Sequence, residues 1–274
     1  MKGYQLIVIT DLDGTLLNQG DCSLEASRPV IHKVRSLDIP LILCSSKTQA
    51  EILPLWQDLK FADPFIAENG AVICIPPGYF SRSVWGARHG RDFDLVELGT
   101  PIFTLRRVLE ETARECHVTV QSFGTMSVRE VSAITSLPLD QAALAKQREY
   151  DEPFLLGTGH HEQLFRGLSV KGFKVTRGDR FFHLMGDHDK GSAAAILLDL
   201  YRQMNSNVFT VGLGNSANDL QLLTLVDRPI LVRNAGGSWD QEVVQKIPAI
   251  ERTCETGSEG WREAMEELLA DAEP

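Results

Sequence analysis

Two carboxylates two residues apart are the strongest chemical signal in the sequence. Asp11 and Asp13 lie in the run DLDGT, directly after a continuous apolar stretch that predicts a buried strand. Side chains two apart in extended backbone project to the same side, and Gly14 lets the chain turn sharply behind them. Because two close carboxylates repel each other, they need a cation or a shared proton. Active sites of open α/β sheets lie at the carboxyl ends of strands, so we expect chemistry here rather than a loop that is acidic by chance.

Two later segments have residue types that can bind a phosphate group. Ser45, Ser46 and Lys47 follow the second predicted strand and precede a helix. A hydroxyl and the N-terminal amides of that helix can bind a phosphate oxygen, whereas simple helix capping, the alternative, suits Thr48 better than Ser45. Lys190 opens a later predicted helix, where a cation opposes the helix dipole and is unfavourable without an anion nearby. A solvated lysine is the alternative for that position.

A polar loop near the C-terminal end supplies oxygen ligands for a hard cation. Asn215, Asn218 and Asp219 follow a predicted strand over residues 208–211. Carboxylate and amide oxygens are the ligands that Mg²⁺ prefers in proteins. With the carboxylates of the first segment, this loop therefore predicts a magnesium site for phosphoryl transfer.

The same loop also fits the outline of a dinucleotide-binding fingerprint, which makes an oxidoreductase the rival hypothesis. Gly212, Gly214 and Ala217 have the spacing G-x-G-x-x-A. That motif needs an acidic residue at the end of the next strand, about 20 residues further on. The next predicted strand, over residues 229–232, is followed by Arg233 instead. The sequence therefore favours phosphoryl transfer over nucleotide binding.

The elements that position these residues predict an α/β fold with a doubly wound parallel sheet. Buried strands alternate with helices at both ends of the chain, whereas the middle third has a different texture. We expect one discontinuous catalytic core made of residues 1–84 and 187–274 and an inserted α/β domain over residues 85–186. The predicted core strands are Tyr4–Thr10, Leu41–Cys44, Phe65–Ala67, Ala71–Ile75, Val208–Val211 and Ile230–Val232.

Length, charge and cysteine content limit the function classes. The chain has 274 residues, of which 43% are hydrophobic and 23% charged, which excludes a disordered chain. A net charge of −10 argues against a broad nucleic-acid groove. The first apolar run is too short for a signal peptide or a membrane span, and the five scattered cysteines have no zinc or disulfide spacing. We expect a cytoplasmic monomer or homodimer that binds a small molecule, without nucleic-acid or membrane partners.

The four segments together, in this order and strand context, resemble the haloacid dehalogenase superfamily of aspartate-nucleophile phosphatases. The insert resembles the large α/β cap of its sugar-phosphatase branch, of which the turn Glu68–Gly70 is also typical. Finer likenesses point to the mannosyl-3-phosphoglycerate phosphatase family; they are SSKT at 45–48, REYDE at 148–152, GDRFFH at 178–183 and EGWRE at 259–263. The resemblance implies magnesium-dependent hydrolysis of mannosyl-3-phosphoglycerate to mannosylglycerate, a compatible solute.

The resemblance also implies roles for the core residues. Asp11 would be the nucleophile that forms an aspartyl-phosphate, and Asp13 would be the general acid and then the general base. Ser45 would hold a phosphate oxygen, and Lys190 would neutralise charge. The family usually carries Asp where this chain has Asn215, so we expect weaker magnesium binding than in an Asp-bearing relative.

The implied magnesium ligands are Asp11, the backbone carbonyl of Asp13, Asn215 and Asp219; for Asn215, a position that only orients other ligands is the alternative. The predicted substrate-binding residues, given in chain order, are Ser46, Lys47, Glu68, Asn69, Arg180, His183 and Asn218. Arg180 and His183 would meet the glycerate carboxylate, unless they simply mark the solvent face of a strand.

Other sugar phosphates remain alternative substrates at this point, namely glucosyl-3-phosphoglycerate, sucrose phosphate and hexose phosphates. A non-catalytic sugar-phosphate sensor is an alternative of another class. Asn215 is the feature that favours a sensor, whereas Asp11, Asp13 and Lys190 argue against it.

Overall fold

Strands and helices alternate along the residues that the computed structural model describes, which are 3–82, 84–177 and 180–272. The strands are β1 (Gln5–Thr10), β2 (Leu41–Cys44), β3 (Phe65–Ala67), β4 (Val72–Ile75), β5 (Arg88–His89), β6 (Asp94–Glu97), β7 (Val120–Ser122), β8 (Asp151–Leu156), β9 (Lys174–Arg177), β10 (Phe182–Met185), β11 (Val208–Gly214), β12 (Arg228–Arg233) and β13 (Glu251–Thr256). The α-helices are α1 (Arg28–Ser36), α2 (Gln49–Asp58), α3 (Ile102–Glu115), α4 (Val128–Thr135), α5 (Leu139–Ala145), α6 (His161–Val170), α7 (Lys190–Met204), α8 (Leu220–Leu225), α9 (Gln241–Lys246) and α10 (Gly257–Ala272). Short 3-10 turns occupy Glu68–Gly70 and Ala217–Asp219.

The larger sheet places the predicted site at the centre of the fold. It has nine strands in the order β13-β12-β11-β1-β2-β3-β4-β6-β5. Neighbours from β13 to β3 run parallel, whereas β3 pairs antiparallel with β4, and β5 with β6. Strand β1 lies between two parallel neighbours, and its residues Ile7, Val8 and Ile9 are fully buried, as its apolar sequence requires. The predicted α/β class with a parallel-sheet core is confirmed.

A second sheet organises the middle of the chain. It has four strands in the order β7-β8-β10-β9, and its neighbouring strands are antiparallel. Helices α3 and α6 contribute Leu105, Leu109, Leu164 and Leu168 to a core that also contains Phe154 from β8. Burial of these apolar side chains, each worth about 1.5–3 kcal/mol, gives this part of the chain its own core.

The chain forms two compact units. The first comprises the chain up to Ser45, Phe61–Val96 and the chain from Asp189 onward; the second comprises Ser46–Lys60 and Glu97–His188. These limits differ from the predicted ones in three places, of which the smallest is that residues 187–188 belong to the second unit. Residues 85–96 carry the β5–β6 hairpin, which extends the larger sheet, and helix α2 packs against α5 of the second unit. The role of residues 85–186 as a substrate-selecting cap stays a prediction.

Local capping signals set the starts of two helices in the second unit. The Thr48 side chain accepts from the backbone N–H of Glu51, and the Glu51 carboxylate accepts from the backbone N–H of Thr48. Ser127 and Glu130 make the same reciprocal pair at the start of α4. Each capping box satisfies N–H groups that the first helical turn leaves without partners, so α2 and α4 begin directly after Thr48 and Ser127.

Candidate active site

Three strand ends bring polar residues to the carboxyl edge of the larger sheet. Asp11, Ser45 and Asn215 directly follow β1, β2 and β11. The ladder continues one residue beyond β1 and β2, because the Asp11 N–H donates to the Leu213 carbonyl at 2.9 Å and the Ser45 N–H donates to Ile66 at 3.0 Å. Asp11 and Ser45 are therefore held by the sheet itself and not by a free loop.

The DLDGT segment turns immediately after β1. Gly14 has a φ of +78°, a conformation that strains any residue with a Cβ. Its N–H donates to the Leu17 carbonyl at 2.8 Å, and Asp13 forms an isolated bridge with Leu17. Thr15 closes the turn, because its Oγ1 donates to Asp11 Oδ2 at 3.2 Å. The glycine is therefore required for the turn that presents both carboxylates.

Lys190 is the centre of the charge cluster. Its side chain is fully buried, and its Nζ lies 2.6 Å from Asp11 Oδ1 and 2.5 Å from Asp219 Oδ1. The next residue, Gly191, lets α7 approach α8 closely, since a Cβ there would lie 2.6 Å from the backbone carbonyl of Gln221. The anions beside Lys190 are thus the carboxylates of Asp11 and Asp219, and the alternative of a solvated lysine is wrong.

The Asp219 carboxylate accepts backbone hydrogen bonds in addition to pairing with Lys190. Its Oδ2 accepts from the N–H groups of Asn215 and Ser216 at 2.9 and 3.1 Å, and the residue is fully buried. Gly214 has to be a glycine because a Cβ would lie 2.5 Å from the Asp219 Cβ. Gly212 and Gly214 both belong to strand β11, so they do not form the phosphate-binding turn that a dinucleotide fingerprint needs.

The cluster carries more negative than positive charge. Burial is the main reason that the pKa of Asp11 rises to about 7; Lys190 opposes this rise, whereas Asp219 and Asp13 add to it. Burial also works against the ammonium of Lys190, but the carboxylates of Asp11 and Asp219 more than offset this and raise its pKa. The raised pKa of Asp11 therefore has burial as its largest cause, whereas the raised pKa of Lys190 comes from the carboxylates beside it.

Asn215 lies in the first unit with its amide held on two sides. Its Nδ2 donates to Asn234 Oδ1 at 2.9 Å, and Asn234 Nδ2 donates to the Asn215 backbone carbonyl at 3.2 Å. Gly14 packs against the same nitrogen, since a Cβ there would be 2.5 Å from Asn215 Nδ2. Asn234 was not among the predicted site residues, and only its position at the end of β12 could have indicated it.

The predicted residues Asn69 and Asn218 lie near Ser45. The Asn69 N–H donates to the Ser45 carbonyl at 2.9 Å, and Asn218 Nδ2 donates to Asn69 Oδ1 at 3.4 Å. Glu68 and Asn69 are both buried and have φ values of +46° and +58°. Two consecutive non-glycine residues in the left-handed region store backbone strain, which is common at functional sites.

Four predicted substrate-binding residues belong to the second unit: Ser46, Lys47, Arg180 and His183. The backbone carbonyl of Ser46 accepts from Arg148 Nη1 at 2.7 Å. Arg180 is exposed and donates from Nη1 to the Ile134 carbonyl. Residues 178 and 179, which begin the GDRFFH motif, lie outside the described residues.

A buried ionic network in the second unit was missed by sequence reasoning. Asp151 Oδ2 accepts from His183 Nδ1 at 2.8 Å and from Arg148 Nη1 at 3.1 Å. Burial opposes the charged form of Asp151, yet His183 and Arg148 hold its pKa below the usual value. Within the REYDE segment, Asp151 and Glu152 begin β8 and are fully buried, whereas Arg148, Glu149 and Tyr150 precede the strand. Glu152 is also buried and accepts from Arg106 Nε at 2.9 Å.

The donor set in the first unit fits a hard divalent cation. Asp11 and Asp219 could supply carboxylate oxygens, Asp13 its backbone carbonyl, and Asn215 an amide oxygen. Within the described ranges, no group of three or more His, Cys, Asp and Glu side chains is arranged to hold a metal. A cation would therefore need amide or backbone oxygens besides two carboxylates. The excess negative charge around Lys190 favours such a cation.

Comparisons with known proteins agree with this geometry. The model of a haloacid dehalogenase-like hydrolase family matches residues 8–80. A glucosyl-3-phosphoglycerate/mannosyl-3-phosphoglycerate phosphatase from Methanococcoides burtonii is 36% identical over 96% of this chain and 97% of its own length. A mannosyl-3-phosphoglycerate phosphatase from Pyrococcus furiosus is 35% identical over 82% of this chain and 90% of its own length.

Solved structures give the same fold. A haloacid dehalogenase-like hydrolase from Bacteroides thetaiotaomicron superposes with a TM-score of 0.64 at 20% identity. The match covers 97% of this chain and 99% of that one. In the part of the chain that the structure describes, the helices are too short or too polar to cross a membrane.

Proposed function

Since this chain belongs to the mannosyl-3-phosphoglycerate phosphatase family of haloacid dehalogenase-like hydrolases, we propose that it hydrolyses mannosyl-3-phosphoglycerate to mannosylglycerate and phosphate. The observation that carries the proposal is the Asp11 carboxylate, fixed at the end of β1 by Lys190 and Thr15. A carboxylate held in this way is oriented as a nucleophile and has a cation beside it.

In the proposed reaction, an Asp11 oxygen attacks phosphorus and the bond from phosphorus to the glycerate oxygen breaks. Asp13 gives its proton to that leaving oxygen. The product of this half-reaction is an aspartyl-phosphate. Asp13 then takes a proton from water, whose oxygen attacks phosphorus and releases phosphate from Asp11. The two steps replace one difficult displacement.

The remaining residues stabilise charge. Ser45 would hold a non-bridging phosphate oxygen, and Lys190 would offset the negative charge that develops beside Asp11. Phosphatases of this family generally use a divalent metal, and we propose Mg²⁺. It would be held by Asp11, the Asp13 carbonyl, Asn215 and Asp219. When bound, it would supply positive charge that lets a carboxylate approach a phosphate.

Residues of the second unit would select the substrate. Arg180 donates from one guanidinium nitrogen to the Ile134 carbonyl, and the planar guanidinium fork has the geometry that pairs with a carboxylate such as that of glycerate. His183 is held by Asp151 through Nδ1, so it would present Nε2 to a ligand. Ser46, Lys47, Glu68, Asn69 and Asn218 complete the proposed substrate-binding set.

Glucosyl-3-phosphoglycerate is a second candidate substrate. The relatives from Methanococcoides burtonii and Persephonella marina, which are 36% and 34% identical, carry both sugars in their names. The two sugars are epimers, so discrimination depends on whether the site hydrogen-bonds the differing hydroxyl. We therefore expect turnover of both compounds and weaker turnover of sucrose phosphate and hexose phosphates.

The test is phosphate release from this substrate panel, with MgCl₂ and with EDTA. We expect metal-dependent turnover that Asp11→Asn abolishes, while substrate binding measured by calorimetry persists. Asp38→Asn is the matched control, because Asp38 is exposed and its φ of +51° suits Asn. Absence of turnover for every compound would refute the proposed activity and favour a non-catalytic sugar-phosphate sensor. Turnover that is unchanged by EDTA would refute the proposed metal.

A further inference from the structure

We propose that Asn234 is a positioning residue that sets the orientation of the Asn215 amide, so that Asn215 Oδ1 is the atom left for the cation. The inference rests on the proposed metal-dependent function and concerns a residue that the proposed mechanism does not use. Asn234 follows β12 in the first unit and contacts Asn215 through both its side-chain oxygen and its side-chain nitrogen.

The amide of Asn234 is itself oriented by the backbone. Its Nδ2 donates to the Asn215 carbonyl at 3.2 Å, and a carbonyl oxygen can only accept. Its main chain is held by a tight turn, because the Asn234 N–H donates to Ser238 at 2.9 Å and the Gly237 N–H donates back to Asn234 at 2.8 Å. Asn234 Oδ1 therefore has to face the Asn215 side chain.

This orientation selects one face of the Asn215 amide. Asn234 Oδ1 is an acceptor at 2.9 Å, so Asn215 has to present Nδ2 there and turn Oδ1 elsewhere. Gly14 packs against the same nitrogen, since a Cβ at position 14 would lie 2.5 Å from Nδ2 but 3.9 Å from Oδ1. Asn215 is buried, so water does not substitute freely for these contacts. A flipped amide would present a nitrogen, which does not bind a cation.

The pair is matched to an amide at position 215 and not to a carboxylate. In the Asn215→Asp variant, a carboxylate oxygen would face Asn234 Oδ1, and two acceptors repel at that distance. Asn234 could turn its amide over only by giving up its bond to the backbone carbonyl of residue 215. The added charge of Asn215→Asp is therefore offset by this conflict, and the simple expectation of tighter magnesium binding holds only when Asn234 is also changed.

A double-mutant cycle read by MgCl₂ calorimetry without substrate tests the pair. In the natural background, Asn234→Ala frees the amide and we expect about tenfold weaker Mg²⁺ binding, the usual effect of losing a residue that orients a ligand. In the Asn215→Asp background, the same substitution removes a repulsive acceptor, and a carboxylate has no wrong face. There we expect unchanged or tighter binding, so the weakening caused by Asn234→Ala is lost or reversed.

Controls separate this inference from the proposed function. Asn207→Ala, at an exposed asparagine before β11, should leave Mg²⁺ binding unchanged, and thermal melts in EDTA show whether each variant folds. If Asn234→Ala does not fold, Asn234→Ser replaces it in the same cycle. Equal weakening in both backgrounds, or no weakening in the natural one, overturns the inference alone. Absence of Mg²⁺ binding by the natural protein overturns it together with the proposed metal site.

Discussion

Removing the buried ammonium of the candidate site should destabilise the whole first unit. Lys190→Met keeps the length and most of the volume of the side chain but leaves Asp11 and Asp219 facing each other without a cation. The Lys190 side chain is fully buried, and its Nζ is within 2.6 Å of one oxygen of each carboxylate. Neither carboxylate has enough solvent access to regain hydration when the ammonium is lost, because both residues are buried.

The expected loss follows from this geometry. Breaking a buried ion pair by removing one partner costs about 3–5 kcal/mol in free energy of unfolding, because an uncompensated charge stays buried. Asp219→Asn in the same chain removes one of the two stranded charges while its side-chain oxygen can still accept from Asn215. The loss in free energy of unfolding in the double variant should therefore be smaller than the sum of the two single losses by at least ~1.5 kcal/mol.

Urea denaturation in EDTA measures this cycle, with Lys246→Met as the control. Lys246 is exposed at the end of α9, so its substitution should change the free energy of unfolding by less than ~0.5 kcal/mol. A loss below ~1 kcal/mol for Lys190→Met, or strictly additive losses in the double variant, would refute the charge cluster as the origin of the effect.

Three further predictions concern stability and are measured by denaturation. Ser127→Ala should cost about 1 kcal/mol, because Ser127 caps α4 by accepting from the Glu130 N–H; a cost near zero would contradict the capping role. Trp261→Phe should cost about 2 kcal/mol, because buried Trp261 Nε1 donates to Thr10 Oγ1 at 3.0 Å; a neutral change would mean that water replaces this bond. Asp151→Ala should cost about 3–5 kcal/mol by removing the buried carboxylate that His183 and Arg148 share, and Asp151→Asn should recover part of the loss; equal losses would point to packing instead.

Sequence patterns predicted the elements that are buried on both faces. Leu41–Cys44 has the predicted bounds, because its four residues are all buried and apolar. Strand β13 was not predicted, since Glu251–Thr256 is mostly exposed and polar, as edge strands commonly are. Strand β5 was also missed, because Arg88 and His89 form only two exposed residues. Edge strands depend on backbone pairing, which leaves little trace in side-chain pattern.

In the candidate site, too, the sequence predicted residues of one continuous segment but not contacts between distant segments. Asp11 could be assigned from its own segment, because strand, carboxylate and turn are consecutive in the chain. The contact between Lys190 and Asp219 depends on how α7 packs against the 3-10 turn Ala217–Asp219, which no local pattern encodes. Asp151 and Asn234 were missed for the same reason, because their partners come from separate strands and loops.

The pairing of β1 with β11 has a consequence for how the protein is made. Gln5 pairs with Val208, so β1 cannot form this part of the sheet until β11 has been synthesised. The first unit needs three separate chain segments, whereas Glu97–His188 is a continuous stretch of the second unit with its own sheet. Such non-local pairing is slow, because the chain loses the entropy of closing a long loop before the new contacts stabilise it. Asp11 is therefore synthesised well before Lys190 and Asp219, and the charge cluster can form only after both have been made.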